Sequence, residues 1–153
     1  MDLNLVEARA RDLLDQHGLV TWQFAWDHAR RRAGQTVFGP NKITLSKVLM
    51  KLYSPEQVDQ VILHEIAHAL VGPKHNHDAT WRRTAARIGV VRPRASLKNA
   101  PSPEPRWIGT CPAGHEVHRF RRPTSVQSCS ICNPRFSRAH LITWHMNPAR
   151  SGR

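Results

Sequence analysis

No apolar run in these 153 residues approaches the roughly 20 residues that a bilayer-spanning helix needs. The opening MDLNLVEARARD also has no basic stretch followed by an apolar one. Neither membrane insertion nor export is expected, so the chain is assigned to the cytoplasm, on the nucleoid if its source is bacterial. Cysteine is scarce. Cys111, Cys129 and Cys132 cannot all pair with one another, and an odd count fits metal ligation in a reducing compartment better than a disulfide framework. Acidic residues are scarce in one half only. Residues 1–78 hold nine basic and nine acidic side chains, whereas residues 79–153 hold fourteen basic ones against Glu104 and Glu116, so the whole formal charge of +12 sits in the second half. That asymmetry points to a polyanionic partner, nucleic acid first, because neutralising phosphates releases counterions and favours binding. The length leaves room for one modest core and a small satellite, and excludes a large multidomain enzyme.

The periodicity predicts an α+β chain. Leu5, Val6, Ala10, Leu13, Leu14 and His17 recur at helical spacing over residues 3–17, with Gly18 placed to stop the helix. LVTWQFAWD then alternates, putting Val20, Trp22, Phe24 and Trp26 on one face of a strand, and QTVF and KITLS supply two more strands across turns at HARRRAG and GPN. Three short strands in succession predict a meander. Ser54-Pro55-Glu56-Gln57 is a helix start, with a serine cap, proline at the first position and glutamine placed to close a capping box. Gly72-Pro73 ends that helix near Val71, and its apolar residues cover the broad arc of a buried helix. Thr80, Trp81, Thr84, Ala85 and Ile88 mark another helical stripe. Residues 92–106 are proline-rich and read as a semi-extended linker, followed by a cysteine-containing unit over 107–147 and a basic tail over 148–153.

Within the capped helix, His64-Glu65-Ile66-Ala67-His68 has a spacing with a chemical meaning. Side chains at i and i+4 project together, so two imidazoles can reach one zinc at about 2.0–2.1 Å, while the glutamate beside them meets a water on the metal. A catalytic zinc takes a third protein ligand. The turn at Gly72-Pro73 brings the chain back, which favours His77, with His75 as the alternative and Asp78 as an orienting group or the cap of the next helix. Cys111 and His115, then Cys129 and Cys132, form two short pairs that fit a tetrahedral structural zinc in a ribbon, with His118 as the alternative to His115. Around them lie Arg106, Arg119, Arg121, Arg122, Arg135 and Arg138, interleaved with Trp107, Phe120, Phe136 and Trp144. Arginines clamp phosphates and exposed aromatics stack on unpaired bases, so these are the candidate nucleic-acid-binding residues.

Ile43-Thr44-Leu45-Ser46, the helix carrying His64-Glu65-Ile66-Ala67-His68-Ala69, and His77 four residues before Trp81 together resemble the SprT-like (SprT/Spartan) family of zinc metalloproteases. The resemblance covers about residues 3–90 and, with the ribbon, nearly the whole chain. It implies a minimal zincin-like domain over residues 1–91, made of a helix, a three-stranded sheet and the HExxH helix, followed by a small zinc ribbon. It also implies one catalytic and one structural zinc, the first held by His64, His68 and His77 with Glu65 as base. The implied activity is cleavage of DNA-bound or DNA-crosslinked proteins by a monomer that binds DNA, single-stranded or at junctions with duplex. His68 and His77 stand closer together than in eukaryotic relatives, and no long tail for replication-factor or ubiquitin binding is expected. Two rival functions retain part of the pattern: a non-enzymatic DNA-binding zinc adaptor, and a peptidase that cleaves a transcriptional repressor.

Overall fold

A computed structural model describes residues 1–91 and 100–150. They form two compact units, Met1–Pro103 and Glu104–Arg153. Much of the expected linker, residues 92–99, and the last three residues of the basic tail lie outside the described residues. No helix among the described residues is long and apolar enough to cross a membrane.

The first unit is mixed α+β. Helix α1, Leu3–Gln16, starts where the Asp2 carboxylate accepts from the backbone N–H of Asn4 and Leu5, and stops at Gly18, whose φ of 73° suits a residue without Cβ. Strands β1 (Gln23–Asp27), β2 (Gly34–Val37) and β3 (Lys42–Ser46) follow, then one helical turn, α2 (Lys47–Met50), which periodicity does not mark. The sheet order is β1-β3-β2, with β1 parallel and β2 antiparallel to β3, so the expected meander is wrong. Burial explains the order. Ile43, Thr44, Leu45 and Ser46 are all buried, so β3 is covered on both faces and takes the centre, whereas Gln23, Asp27 and Gln35 suit the outer strands. The first strand also begins later than its alternation suggests. Val20 is 72% exposed, and the chain turns through residues 19–22 before pairing starts at Gln23.

Helix α3 spans Pro55–Val71 and closes the predicted capping box: Gln57 N–H donates to Ser54 Oγ, and Ser54 N–H donates to Gln57 Oε1. It ends at Gly72, φ 83°. Val58, Ile62 and Ile66 are fully enclosed between α1 and the sheet, each contributing about 1.5–3 kcal/mol of apolar burial. Helix α4, Ala79–Arg87, packs on α3 through Trp81 and Ala85. Beyond the undescribed stretch, Ala100 lies against this same core, so the end of the expected linker belongs to the first unit's packing.

The second unit is a three-stranded antiparallel sheet, order β5-β4-β6, from β4 (Trp107–Thr110), β5 (Glu116–Arg119) and β6 (Thr143–Met146). An added Cβ at Gly109 would lie 2.7 Å from the Trp144 ring and 2.4 Å from Ile142, so only glycine lets that indole cross the central strand.

Candidate active site and metal centres

Helix α3 turns His64 and His68 to the same side, and the loop after Gly72 returns His77 to them. His77 Nε2 lies 3.0 Å from Nε2 of His64 and 3.0 Å from Nε2 of His68. All three candidate ligand atoms fall within 4.8 Å of one another. Burial first, and then the neighbouring imidazoles, push the pKa of His64 and of His68 down to about 4. A hydrogen bond to the His75 backbone opposes that shift at His68. Three ring nitrogens that converge this closely can offer their lone pairs to a single divalent cation. The donor set therefore fits zinc, whose tetrahedral nitrogen–nitrogen edge is about 3.3 Å.

Trp81, with no exposed surface, floors this cluster. Its ring centroid is 4.7 Å from that of His64, 5.0 Å from His68 and 4.4 Å from His77, and its Nε1 has no hydrogen-bond partner among the described residues. Arg82 donates to the His77 carbonyl at 2.8 Å and holds the returning loop. His75 stands apart from the cluster: its Nδ1 is 2.7 Å from Asp78 Oδ2, while Asp78 Oδ1 accepts from Trp81 N–H and caps α4. Among the alternatives left by the sequence, the chain brings His77 to the pair and uses Asp78 as a cap.

Glu65 is 7% exposed and faces β2. The Thr36 hydroxyl lies 2.8 Å from its Oε2 and 2.9 Å from its backbone carbonyl, so one side chain ties both the carboxylate and the helix to the strand. Gly34 gives it space, since a Cβ there would sit 2.8 Å from Glu65 Cγ and 2.9 Å from Oε1. Burial pushes the carboxyl pKa up to about 7, against the lowering effects of the Thr36 hydrogen bonds and the Arg32 charge.

The SprT-like family model matches residues 4–101, most of the chain and all of this cluster. The chain belongs to the SprT-like family. The family is of zinc metallopeptidase type, and the histidine site lies inside the matched span. Comparison with curated proteins gives no match.

In the second unit of this SprT-like protein, Cys111, His115, Cys129 and Cys132 also gather within 4.8 Å. The Cys111–Cys132 sulfur separation is 3.8 Å, and His115 Nδ1 lies 3.3–3.6 Å from the three sulfurs. Tetrahedral zinc with bonds of about 2.3 Å to sulfur and about 2.0–2.1 Å to nitrogen requires edges of about 3.8 and 3.6 Å, so the cluster is compatible with zinc. Burial works against a Cys111 thiolate, but hydrogen bonds from the His115 and Ala113 backbone outweigh it and hold the pKa to about 6. Cys132 is pushed up to about 12 by burial and then by the other two thiols, a crowding that a cation relieves. His118 is elsewhere, on β5 with its Nε2 3.6 Å from Glu116.

Arg106, Arg119, Arg121, Arg122, Arg135 and Arg138 are all exposed on this unit. Arg119 lies over the Trp144 ring at 5.9 Å and Arg122 over Trp107 at 5.7 Å. Strand alternation places Trp107, Arg119, Trp144 and Met146 on one face of the sheet. Gly34, Thr36 and Arg82 escape sequence reasoning altogether. Each acts through a contact across elements, and neither composition nor spacing encodes such a contact.

Proposed function

We propose that the first unit is a zinc-dependent endopeptidase of the zincin type and that the basic second unit holds it on DNA, where it cleaves proteins bound or crosslinked there. The observation that carries this reading is the pairing of three convergent imidazoles with a buried carboxylate fixed beside them by Thr36. A purely structural metal site has no use for such a base. Zinc, when bound, supplies Lewis acidity that activates water and polarises the scissile carbonyl.

His64, His68 and His77 hold the metal through Nε2, and Trp81 fixes the orientation of the rings from below. Glu65 is the general base. With Oε2 engaged by Thr36, its Oε1 faces the space left at Gly34 and takes the proton from the attacking water, then delivers it to the leaving amine. No described strand pairs with the outer edge of β2 beside this carboxylate, and an extended peptide adds to it through main-chain hydrogen bonds, which suits varied substrates. In the second unit, Cys111, His115, Cys129 and Cys132 hold a structural zinc. The exposed arginines clamp phosphates while the exposed Phe136 offers a face to an unpaired base.

The deciding experiment measures cleavage of a DNA-bound protein with and without single-stranded DNA, for the wild type and for Glu65→Gln. Cleavage should require Glu65 and rise with DNA, while the variant keeps its DNA affinity. A variant that cleaves at the wild-type rate refutes the assignment of the base.

A further inference from the structure

Beside the histidine cluster lies a cavity of about 400 Å³, within the usual range for ligand-binding pockets. It shares Gly34, His64 and Glu65 with the catalytic centre, so whatever enters it touches the base. Its floor is apolar: Leu49, Tyr53, Val61 and Val90 are each less than 10% exposed. Arg30, Arg31 and Arg32 stand exposed at the rim, where Arg32 is paired with Asp27 and Arg31 with no described residue. A second, smaller depression of about 250 Å³ shares Gly34 and Glu65 with the larger cavity and extends to Phe38 and His68.

The two depressions therefore meet at Gly34 and Glu65, the larger reaching back from the start of β2 toward residues 30–33 and the smaller running forward along β2 to Phe38, just past its end at Val37. A peptide added to the outer edge of β2 pairs most stably antiparallel. It then runs from the Phe38 end to the Gly34 end, and the residue that follows the scissile bond arrives over the larger cavity.

We propose that this cavity receives the side chain immediately after the scissile bond and selects a bulky apolar one, aromatic above all, over lysine or arginine. The proposal rests on the peptidase reading and adds the substrate class. Apolar walls favour the large hydrophobic side chain, and the arginine rim repels a cationic one, so attraction and rejection act together.

The test incubates the full-length, zinc-loaded chain with a randomised peptide library and reads the new N-termini by mass spectrometry. Phe, Tyr, Leu and Met should exceed Lys and Arg there by at least about 10-fold, the smaller end of what a hydrophobic pocket discriminates. Val61→Phe, which fills the chamber from its floor, should shift the new N-termini to Gly, Ala and Ser with zinc content unchanged. Should that variant not fold, Val91→Trp fills the chamber from a rim residue that is 70% exposed. Lys or Arg enrichment in the wild type, or one profile shared by the wild type and the filled variants, overturns the pocket while leaving the peptidase in place. A zinc-loaded wild type that cleaves nothing overturns both.

Discussion

Replacing Glu65 by glutamine should make the metal-free protein more stable, by an amount that grows with pH. The carboxyl is 7% exposed, and its pKa rises from 4.5 to about 7, chiefly through burial. Between those two values the folded state binds more protons at this site than the unfolded state, so wild-type stability falls as pH rises through the window. Below about pH 4.5 the carboxyl is protonated in both states and costs nothing. Above pH 7 it is ionised in both, and at about 1.4 kcal/mol per pH unit the cost is about 3 kcal/mol. Glutamine carries no such cost, although its amide nitrogen gains two donors that need partners, which holds the net gain to about 2–3 kcal/mol. His64 and His68, with pKa values of about 4, also destabilise the folded state as pH falls below their unfolded value, but they do so in both proteins and cancel in the difference. Calorimetry in chelator at several pH values reads this directly. At about 4–8 °C per kcal/mol for a unit of this size, the Tm difference should climb from near zero at pH 4.5 to roughly 10–20 °C at pH 8. A difference that stays flat across that range refutes the claim that an ionised carboxylate is buried at the cost of folding energy.

The other predictions follow from single contacts. Gly34→Ala places a Cβ 2.8 Å from Glu65 Cγ, so it should cost about 1–3 kcal/mol of stability and displace the carboxylate. Cleavage should fall by about 10²-fold while zinc content stays constant, as metal analysis beside kcat/KM will show. Zinc counting on purified protein should give two ions per wild-type chain and one each for His77→Ala and Cys129→Ala, with the Cys129 variant also losing the near-UV signal of its ribbon tryptophans. Replacing Arg119, Arg121 and Arg122 together by alanine should weaken single-stranded DNA binding and lower the slope of log affinity against log salt by about 2, the value for three lost phosphate contacts. Titrations at several salt concentrations supply that slope.

What the sequence made legible was local. The α3 cap, its glycine stop and the i, i+4 histidine pair all depend on neighbours within one or two turns, and the structure shows each in place. Position along the chain favoured His77 but left His75 open, because the choice depends on which ring the turn at Gly72 swings inward and which one Asp78 takes up. Sheet order was hidden for a similar reason. Three short strands read in sequence suggest a meander, but the central place goes to the strand that can be buried on both faces. Thr44 and Ser46 let β3 do this through hydrogen bonds to Asp27 and to the Ala29 carbonyl. The larger cavity could not be read at all, since its lining comes from segments far apart in the chain.

Sheet order in turn sets the chemistry. With β3 central, β2 becomes the outer strand beside α3, and pairing of Thr36 with Ile43 fixes which β2 side chain meets Glu65. A slip of one residue would present Gln35 or Val37 in place of Thr36, and strand alternation would send the hydroxyl to the opposite face. Valine offers no donor to the carboxylate, and glutamine is too long for the gap that Thr36 spans at 2.8 Å. The fully buried Ile43 therefore acts at a distance on the proposed base: it pairs with the strand whose hydroxyl holds Glu65 Oε2 and whose glycine leaves space beside Oε1. In the proposed peptidase, catalytic geometry is thus a property of β-sheet register as much as of the HExxH helix that carries the motif.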